Sequence, residues 1–271
     1  MRFSEIDGGT RGFSGRIAKA ATLVALATLA AFAAVLLSAC GGASETADAG
    51  EVLFAGRPGE LSPHDVGSTA RFRIEARSGS ESTSATRTTV VLSEGPDGEF
   101  LLETSTDTGI RQRLRARETP DEVRVEAIAV DDGSGFAWRD LDPAAVLVRV
   151  PVVAGATLEA EFARTIDLRI ESGGASTVRS LVVTGESRRR AVGWEDLVLG
   201  GETLRAIRWE IEGESRTETI VLGGESLEIR AQLRGVEHRA PGLGLVREEA
   251  DLEISVGGAT TAVHLVAERE T

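Results

Sequence analysis

The stretch TARFRIEAR, residues 69–77, alternates strictly between apolar side chains and polar or charged ones. In an extended chain successive side chains point to opposite sides, so the four apolar residues share one face and the charged residues share the other. A slip of one residue in the pairing of this segment would bury three arginines and a glutamate. The stretch therefore predicts a β-strand with one buried face, one solvent-exposed face and a single favoured register.

The same alternation continues along most of the chain, interrupted by short segments rich in Gly, Pro, Asp and Ser that are typical of hairpin turns. Residues 146–153 form a more continuous apolar run, which predicts a strand covered on both faces. Residues 142–145 are compatible with a short helical turn. Beyond these two segments, the predicted strands are 69–77, 86–93, 99–106, 110–117, 122–130, 157–172, 178–185, 203–212, 218–222, 226–233, 250–256 and 260–267.

A dozen or so short alternating strands with few helical signals indicate the fold class. The sequence predicts an all-β architecture, either a large curved antiparallel sheet or a partly open barrel, with one wet face. Aromatic residues make up only 4% of the chain and tyrosine is absent, so aliphatic side chains must supply most of the core. Branched aliphatic residues suit pleated strands.

The charge balance excludes one class of partner. The chain carries a net charge of −13, and because residues 1–39 carry +2, the remainder carries −15. Such a surface repels phosphate backbones, so nucleic acid is not an expected partner. The run Arg188-Arg189-Arg190 is a basic exception, and we interpret it as a solvated strand face or turn, with a local anion site as the alternative.

The N-terminus combines a positively charged segment with an apolar one. Residues 2–19 carry the positive bias, and residues 20–37 (AATLVALATLAAFAAVLL) carry no charge. This order is typical of a secretion signal, although the apolar run is also close to the length of a membrane-spanning helix. The length alone leaves both interpretations open.

The next residues, Leu37-Ser38-Ala39-Cys40, resemble the lipobox of bacterial lipoproteins, and Cys40 is the only cysteine of the chain. The resemblance implies diacylglyceryl transfer to the sulfur of Cys40, cleavage before it and, in many bacteria, acylation of the new α-amine. Each buried methylene adds about 0.8 kcal/mol, so two or three acyl chains would hold an acidic body at a membrane. The alternative is an uncleaved anchor.

This interpretation divides the chain into three parts. A signal peptide is expected over residues 1–39, an acylated Cys40 with a flexible tether over 40–50, and a single all-β domain over 51–271. Gly41 directly follows Cys40, at the position where an Asp is associated with retention of lipoproteins in the inner membrane. The resemblance therefore implies a lipid-anchored envelope protein that faces the periplasm or the exterior, at the outer membrane if the host has two membranes.

A second resemblance involves the segment Ala240-Pro241-Gly242-Leu243-Gly244-Leu245-Val246. Such an Ala-Pro-Gly-x-Gly-Leu-Val motif is similar to one in uncharacterised secreted β-domain lipoproteins, which also open with a polar segment ending in Gly, here residues 61–67. The chain departs from that pattern at Ala70 and Phe72, where Trp and Tyr are usual. Two glycines around Leu243 predict a sharp bend that places Leu243, Leu245 or Val246 in the core.

No motif for catalysis or for a metal site is evident, so no catalytic residue, metal ligand or cofactor is predicted. The three Gly-Glu-Ser segments lack the second Gly of a nucleophile elbow. His64, His238 and His264 lie far apart in sequence with no spacing that suggests zinc ligands. Trp209 alternates with isoleucines and is expected in the core, whereas Trp138 and Trp194 lie beside turns and are weak candidates for ligand binding.

Two functions remain open from the sequence. The first is a noncatalytic envelope lipoprotein that binds or scaffolds a partner in the envelope, such as a lipid, another apolar ligand or a protein. The second is a hydrolase-type enzyme with an unrecognised site based on carboxylates. An open apolar cavity would favour the first, and acidic residues and histidines converging in a cleft would favour the second.

Overall fold

The computed structural model describes residues 50–109, 111–131, 135–172, 175–217, 220–222, 225–256 and 259–270. The predicted signal peptide, the lipobox residues Leu37, Ser38 and Ala39, the acylation site Cys40 and the tether up to residue 49 lie outside the described residues. Within the described ranges, no helix has the length and hydropathy needed to cross a membrane.

Strands dominate the described part of the chain. A single turn of helix, α1, covers Pro58–Leu61, and residues 96–98 form a 3-10 turn. The strands are β1 (Val52–Phe54), β2 (Thr69–Ser78), β3 (Glu81–Glu94), β4 (Glu99–Thr106), β5 (Arg111–Glu118), β6 (Glu122–Asp131), β7 (Phe136–Arg149), β8 (Val152–Val153), β9 (Thr157–Ser172), β10 (Ala175–Leu199), β11 (Glu202–Thr217), β12 (Ile220–Leu222), β13 (Glu225–Leu227), β14 (Ile229–Ala240), β15 (Gly244–Val256) and β16 (Ala259–Arg269).

Twelve of these strands form one antiparallel sheet in the order β7-β6-β5-β4-β3-β2-β16-β15-β14-β11-β10-β9. The edge strands β7 and β9 approach each other, so the sheet curves until it is nearly closed into a barrel. The predicted fold class, a large curved antiparallel sheet or partly open barrel, is confirmed. Two small ladders, β1 with β8 and β12 with β13, lie outside the main sheet.

The alternation that predicted β2 determines which face is buried. Phe72 and Ala76 are buried, whereas Arg71, Arg73 and Arg77 are exposed. The same pattern continues in β15, where every second residue from 246 to 254 is buried. The buried face lines the inside of the curved sheet, and the charged face meets solvent.

The segment that precedes β2 closes one end of the sheet. Helix α1 contacts β14 and β15 on one side and β6 and β7 on the other, so it lies across the interior rather than beside it. Leu61 of α1 is completely buried, and Leu53 of β1 joins the same apolar core. We call residues 50–68 the N-terminal plug, and the end of the sheet that it occupies the closed end.

The two segments that carry the second resemblance meet at this closed end. The backbone N–H of Gly242 donates to the carbonyl of Glu60 at 2.7 Å, and Arg239 donates to the carbonyl of Leu61 at 3.2 Å. Gly244 has a φ of 73°, and a Cβ at this position would lie 2.7 Å from Pro63. The glycines of the motif therefore allow the β14–β15 turn to pack directly against the plug.

Several local predictions were wrong in part. Residues 142–145 belong to β7 and not to a helical turn. The run 146–153 is divided between β7 and β8 because β7 ends before Pro151, but residues 146–148 are buried on both faces as predicted. Of the residues predicted for the core near the β14–β15 turn, Val246 is fully buried, whereas Leu243 is exposed in the turn itself. The run Arg188-Arg189-Arg190 was predicted only in part. Its outer members are exposed, whereas Arg189 is completely buried because neighbouring residues of a strand face opposite sides.

Candidate functional site

An open groove of about 700 Å³ crosses four neighbouring strands, β9, β10, β11 and β14. Each strand contributes three consecutive residues, and one residue of β7 borders the groove. The lining residues are Pro143, Glu159, Ala160, Glu161, Glu186, Ser187, Arg188, Glu212, Gly213, Glu214, Gln232, Leu233 and Arg234. This volume is within the range of small-molecule sites.

The groove lies on the inner face of the sheet. The guanidinium of Arg189 donates to the carbonyl of Leu147 at 2.6 Å, so β7 passes over the face of β10 to which Arg189 points. Ser187 is two residues before Arg189 and shares that face. Because Pro143 of β7 borders the groove together with Ser187, the groove opens toward the interior that β7 partly covers.

Three of the four side chains in this part of the interior are small and leave space above the sheet. One residue of each strand contributes to a single row on the inner face, in which neighbours are directly opposite in the strand registers. The row consists of Ala160, Ser187, Gly213 and Leu233. The neighbouring residues of each strand also border the groove, and all of them are charged or polar. The floor therefore combines small or apolar side chains and one hydroxyl with charged and polar residues on either side.

Charged residues occupy the interior between the groove and the closed end. Arg189 and Glu237 are in direct contact and fully buried, and Glu237 also accepts a hydrogen bond from Arg239 at 2.9 Å. Glu248 lies directly opposite Glu237 in the β14–β15 register and pairs with Arg87 at 3.7 Å. We call these five residues the interior ion cluster.

The cluster contains three arginines and two glutamates. It therefore carries a net charge of +1 in the interior of the sheet. Burial lowers the pKa of Arg239 to about 10, and the nearby Glu248 opposes this shift. A guanidinium with a pKa near 10 remains charged at neutral pH. Aromatic rings add contacts, because Arg189 lies 5.4 Å from the ring centre of Trp209 and Arg87 lies 4.6 Å from that of Phe72.

The cluster can hold strands in place, but its carboxylates are not placed for work on a substrate. The side chains of Glu237 and Glu248 are 0% and 5% exposed and face arginines. One oxygen of each carboxylate and the indole N–H of Trp209 lack a hydrogen-bond partner among the described residues. The alternative of a carboxylate-based hydrolase stays a prediction that this cluster does not test.

The three histidines do not come together. His64 pairs with Glu118 at 3.0 Å and stacks on Phe100, and His238 pairs with Glu195 at 3.1 Å. His264 pairs with Asp251 at 2.8 Å on the outer face. Within the described ranges, no group of three or more His, Cys, Asp or Glu side chains could hold a metal ion.

The three tryptophans have different surroundings. Trp209 is 3% exposed, which confirms the prediction that it belongs to the core. Trp194 is half-buried against the core and lies 5.1 Å from the guanidinium of Arg205. Trp138 is 44% exposed, with Arg115 at 5.9 Å from its ring. Neither Trp138 nor Trp194 lines the groove, so a role for them in ligand binding stays a prediction.

Comparison with known proteins does not assign this chain to a family. No protein-family model matches the sequence, and no curated protein matches it. Two solved structures share a TM-score of 0.34 with this chain and each covers 77% of it. One is a candidate exported protein with a YmcC-like fold from Bacteroides fragilis, with 12% identity over 98% of that chain. The other is a candidate lipoprotein from Parabacteroides distasonis, with 11% identity over 97% of that chain.

Proposed function

We propose that this chain is an envelope lipoprotein that is held at a membrane by acyl chains on Cys40 and binds an amphipathic ligand, such as a lipid, in its inner groove. Residues 1–39 are removed on export, and the β-rich body faces the periplasm or the exterior, at the outer membrane in a host with two membranes. The observation that carries the binding role is the open groove of about 700 Å³ on the inner face. The role is noncatalytic.

The lining of the groove supports a ligand with both apolar and polar parts. Ala160 and Leu233 offer apolar contact, whereas the neighbouring lining residues of the four strands are charged or polar. An exclusively apolar pocket would be lined by several large aliphatic side chains, whereas this floor has one, Leu233. A single acyl chain with a polar head therefore suits the groove better than a hydrocarbon alone.

The anchoring is tested by replacing Cys40 with Ser. We expect wild-type protein to carry diacylglycerol on Cys40 and to fractionate with membranes, because the body has a net charge of −15 and no charge attraction to anionic lipids. The variant is expected to keep residues 1–39 and to lack lipid. Mass spectrometry of the N-terminal peptide checks both statements, and an unmodified thiol on mature wild-type protein would contradict the proposal.

The binding role is tested by filling the groove. Ser187→Leu adds a larger side chain to the floor, so we expect it to lose most of the lipid that co-purifies with wild-type protein. Thr184→Leu is the matched control, because residue 184 is exposed on the same strand and points to the outer face. Solvent extraction and mass spectrometry measure the bound lipid. Wild-type protein without lipid, or equal lipid on both variants, would refute the role.

A further inference from the structure

The exposed apolar side chains are concentrated at one end of the molecule. Among the described side chains, eight large hydrophobic residues are exposed. Five of them lie at the closed end, in turns or within three residues of a strand end: Val52, Val66, Leu92, Val198 and Leu243. We call these five residues the apolar rim.

Contacts of the plug place most of the rim together. Gly67, next to Val66, donates its N–H to the carbonyl of Val91, next to Leu92. Leu243 lies in the turn that packs against the plug through Gly242 and Gly244. Val198 is 71% exposed near the tip of the β10–β11 hairpin, whose other face packs on β14 and β15 through a small apolar cluster.

The chain reaches this same end from Cys40. Eleven residue steps separate Cys40 from Glu51, and fully extended they span at most about 36–40 Å. The carbonyl of Glu51 accepts a hydrogen bond from Ala154, three residues before β9 begins. Strand β9 then runs sixteen residues away from this point, which corresponds to about 50 Å along the strand and about 35 Å along the axis at a tilt of 45°.

These lengths favour one end for contact with the bilayer. With Cys40 at the bilayer surface, a body standing on its far end would hold Glu51 about 35 Å away, so the segment from Cys40 to Glu51 would have to be almost fully extended. With the closed end toward the bilayer, the same segment needs no such extension and loses less conformational entropy. The closed end is also the end where the exposed valines and leucines lie.

We infer that the apolar rim docks on the surface of the bilayer that holds the Cys40 acyl chains, which fixes the orientation of the body with its closed end toward the lipid. This inference rests on the proposed lipid anchor. Burial of aliphatic side chains at the interface favours docking, and the anchor raises the local concentration of the rim at the membrane. Because the body is acidic, an uncharged zwitterionic surface suits it better than an anionic one.

The experiment uses full, lipidated protein reconstituted into phosphatidylcholine vesicles. Since Cys40 is the only cysteine and is blocked by its lipid, Val198→Cys and Val66→Cys each provide a single free thiol for an environment-sensitive fluorophore. Ser80→Cys, in the exposed turn between β2 and β3 at the opposite end, is the matched control. We expect a blue shift at 198 and 66, with loss of emission when the lipids carry a quencher, and neither effect at 80.

The outcomes separate this inference from the anchor on which it rests. Labelling of the parent protein, which has no added cysteine, would reveal a free thiol at Cys40 and refute the lipid anchor itself. An unlabelled parent with equal emission and no lipid quenching at all three positions would overturn docking while leaving the anchor intact. A blue shift without lipid quenching would also overturn it, because the rim would then contact protein. Weaker quenching in phosphatidylglycerol vesicles is expected from the charge of the body.

Discussion

Replacement of Glu237 by Gln is expected to lower the free energy of unfolding by about 3–5 kcal/mol, because removing one partner leaves a buried charge uncompensated. Glu237 contacts Arg189 and accepts a hydrogen bond from Arg239, and its side chain is completely buried. The substitution preserves the shape of the side chain but raises the net charge of the interior ion cluster from +1 to +2. Urea denaturation of the purified protein measures the change.

The double variant Glu237→Gln with Arg189→Met provides the decisive comparison. It returns the cluster to a net charge of +1, so we expect it to recover a large part of the stability lost by the single variant. Glu210→Gln is the surface control. The side chain of Glu210 is 35% exposed and pairs with Arg190, and its loss is expected to cost less than about 1 kcal/mol. Equal losses for the two single variants would show that the cluster is not electrostatically coupled.

Gly98→Ala is expected to destabilise the turn between β3 and β4 strongly. Gly98 has a φ of 75°, and a Cβ there would lie 2.4 Å from the carbonyl oxygen of Glu118. The left-handed backbone costs roughly 1–2 kcal/mol for any other residue, and the collision adds roughly 1–3 kcal/mol. Glu118 also accepts a hydrogen bond from Gly59 and pairs with His64, so its displacement loosens the N-terminal plug.

Gly109→Ala separates these two costs. Gly109 has a φ of 91°, and a Cβ at this position meets nothing within 4 Å. Only the backbone cost applies there, so Gly98→Ala should lose more stability than Gly109→Ala and should expose residues 50–68 to proteolysis. Denaturation and limited proteolysis measure both effects. If the two variants behave alike, contact with Glu118 does not hold the plug.

The alternation of side chains was sufficient to predict most of the sheet. The predicted segments 99–106 and 157–172 coincide with β4 and β9, because each is bounded by clear turn residues. The predicted strand 178–185 covers only part of β10, which runs from Ala175 to Leu199. Charges at Arg188 and Arg190 obscured the continuation of this strand, although both lie on its wet face.

The interior ion cluster was missed, but the sequence contains a signal for it. Three strands carry charged residues in phase with apolar or small neighbours: Arg189 in β10, Glu237 in β14 and Glu248 in β15. A charge in phase with a buried face is unusual and calls for a partner. What the sequence could not provide was the pairing of these strands, because register depends on contacts between distant residues.

The groove could not be predicted for a related reason. Ala160, Ser187, Gly213 and Leu233 are unremarkable in their own segments, and they form a floor only because four strands align them in one row. The small size of the first three matters only where β7 passes over them. The resemblance to lipoproteins, by contrast, depends on residues 2–40, namely the charged segment, the apolar run and the lipobox, and needs no information about the fold.

The pairing of β16 with β2 joins segments that lie about 190 residues apart in sequence, with Leu265 opposite Ala76. During synthesis, the β2 side of the sheet has an unpaired edge until this partner strand is made, and such edges promote aggregation. Sheets that depend on such distant contacts fold slowly because chain closure precedes the stabilising contacts. Folding of this chain therefore depends on protecting the incomplete sheet from aggregation until β16 has been synthesised and has paired with β2.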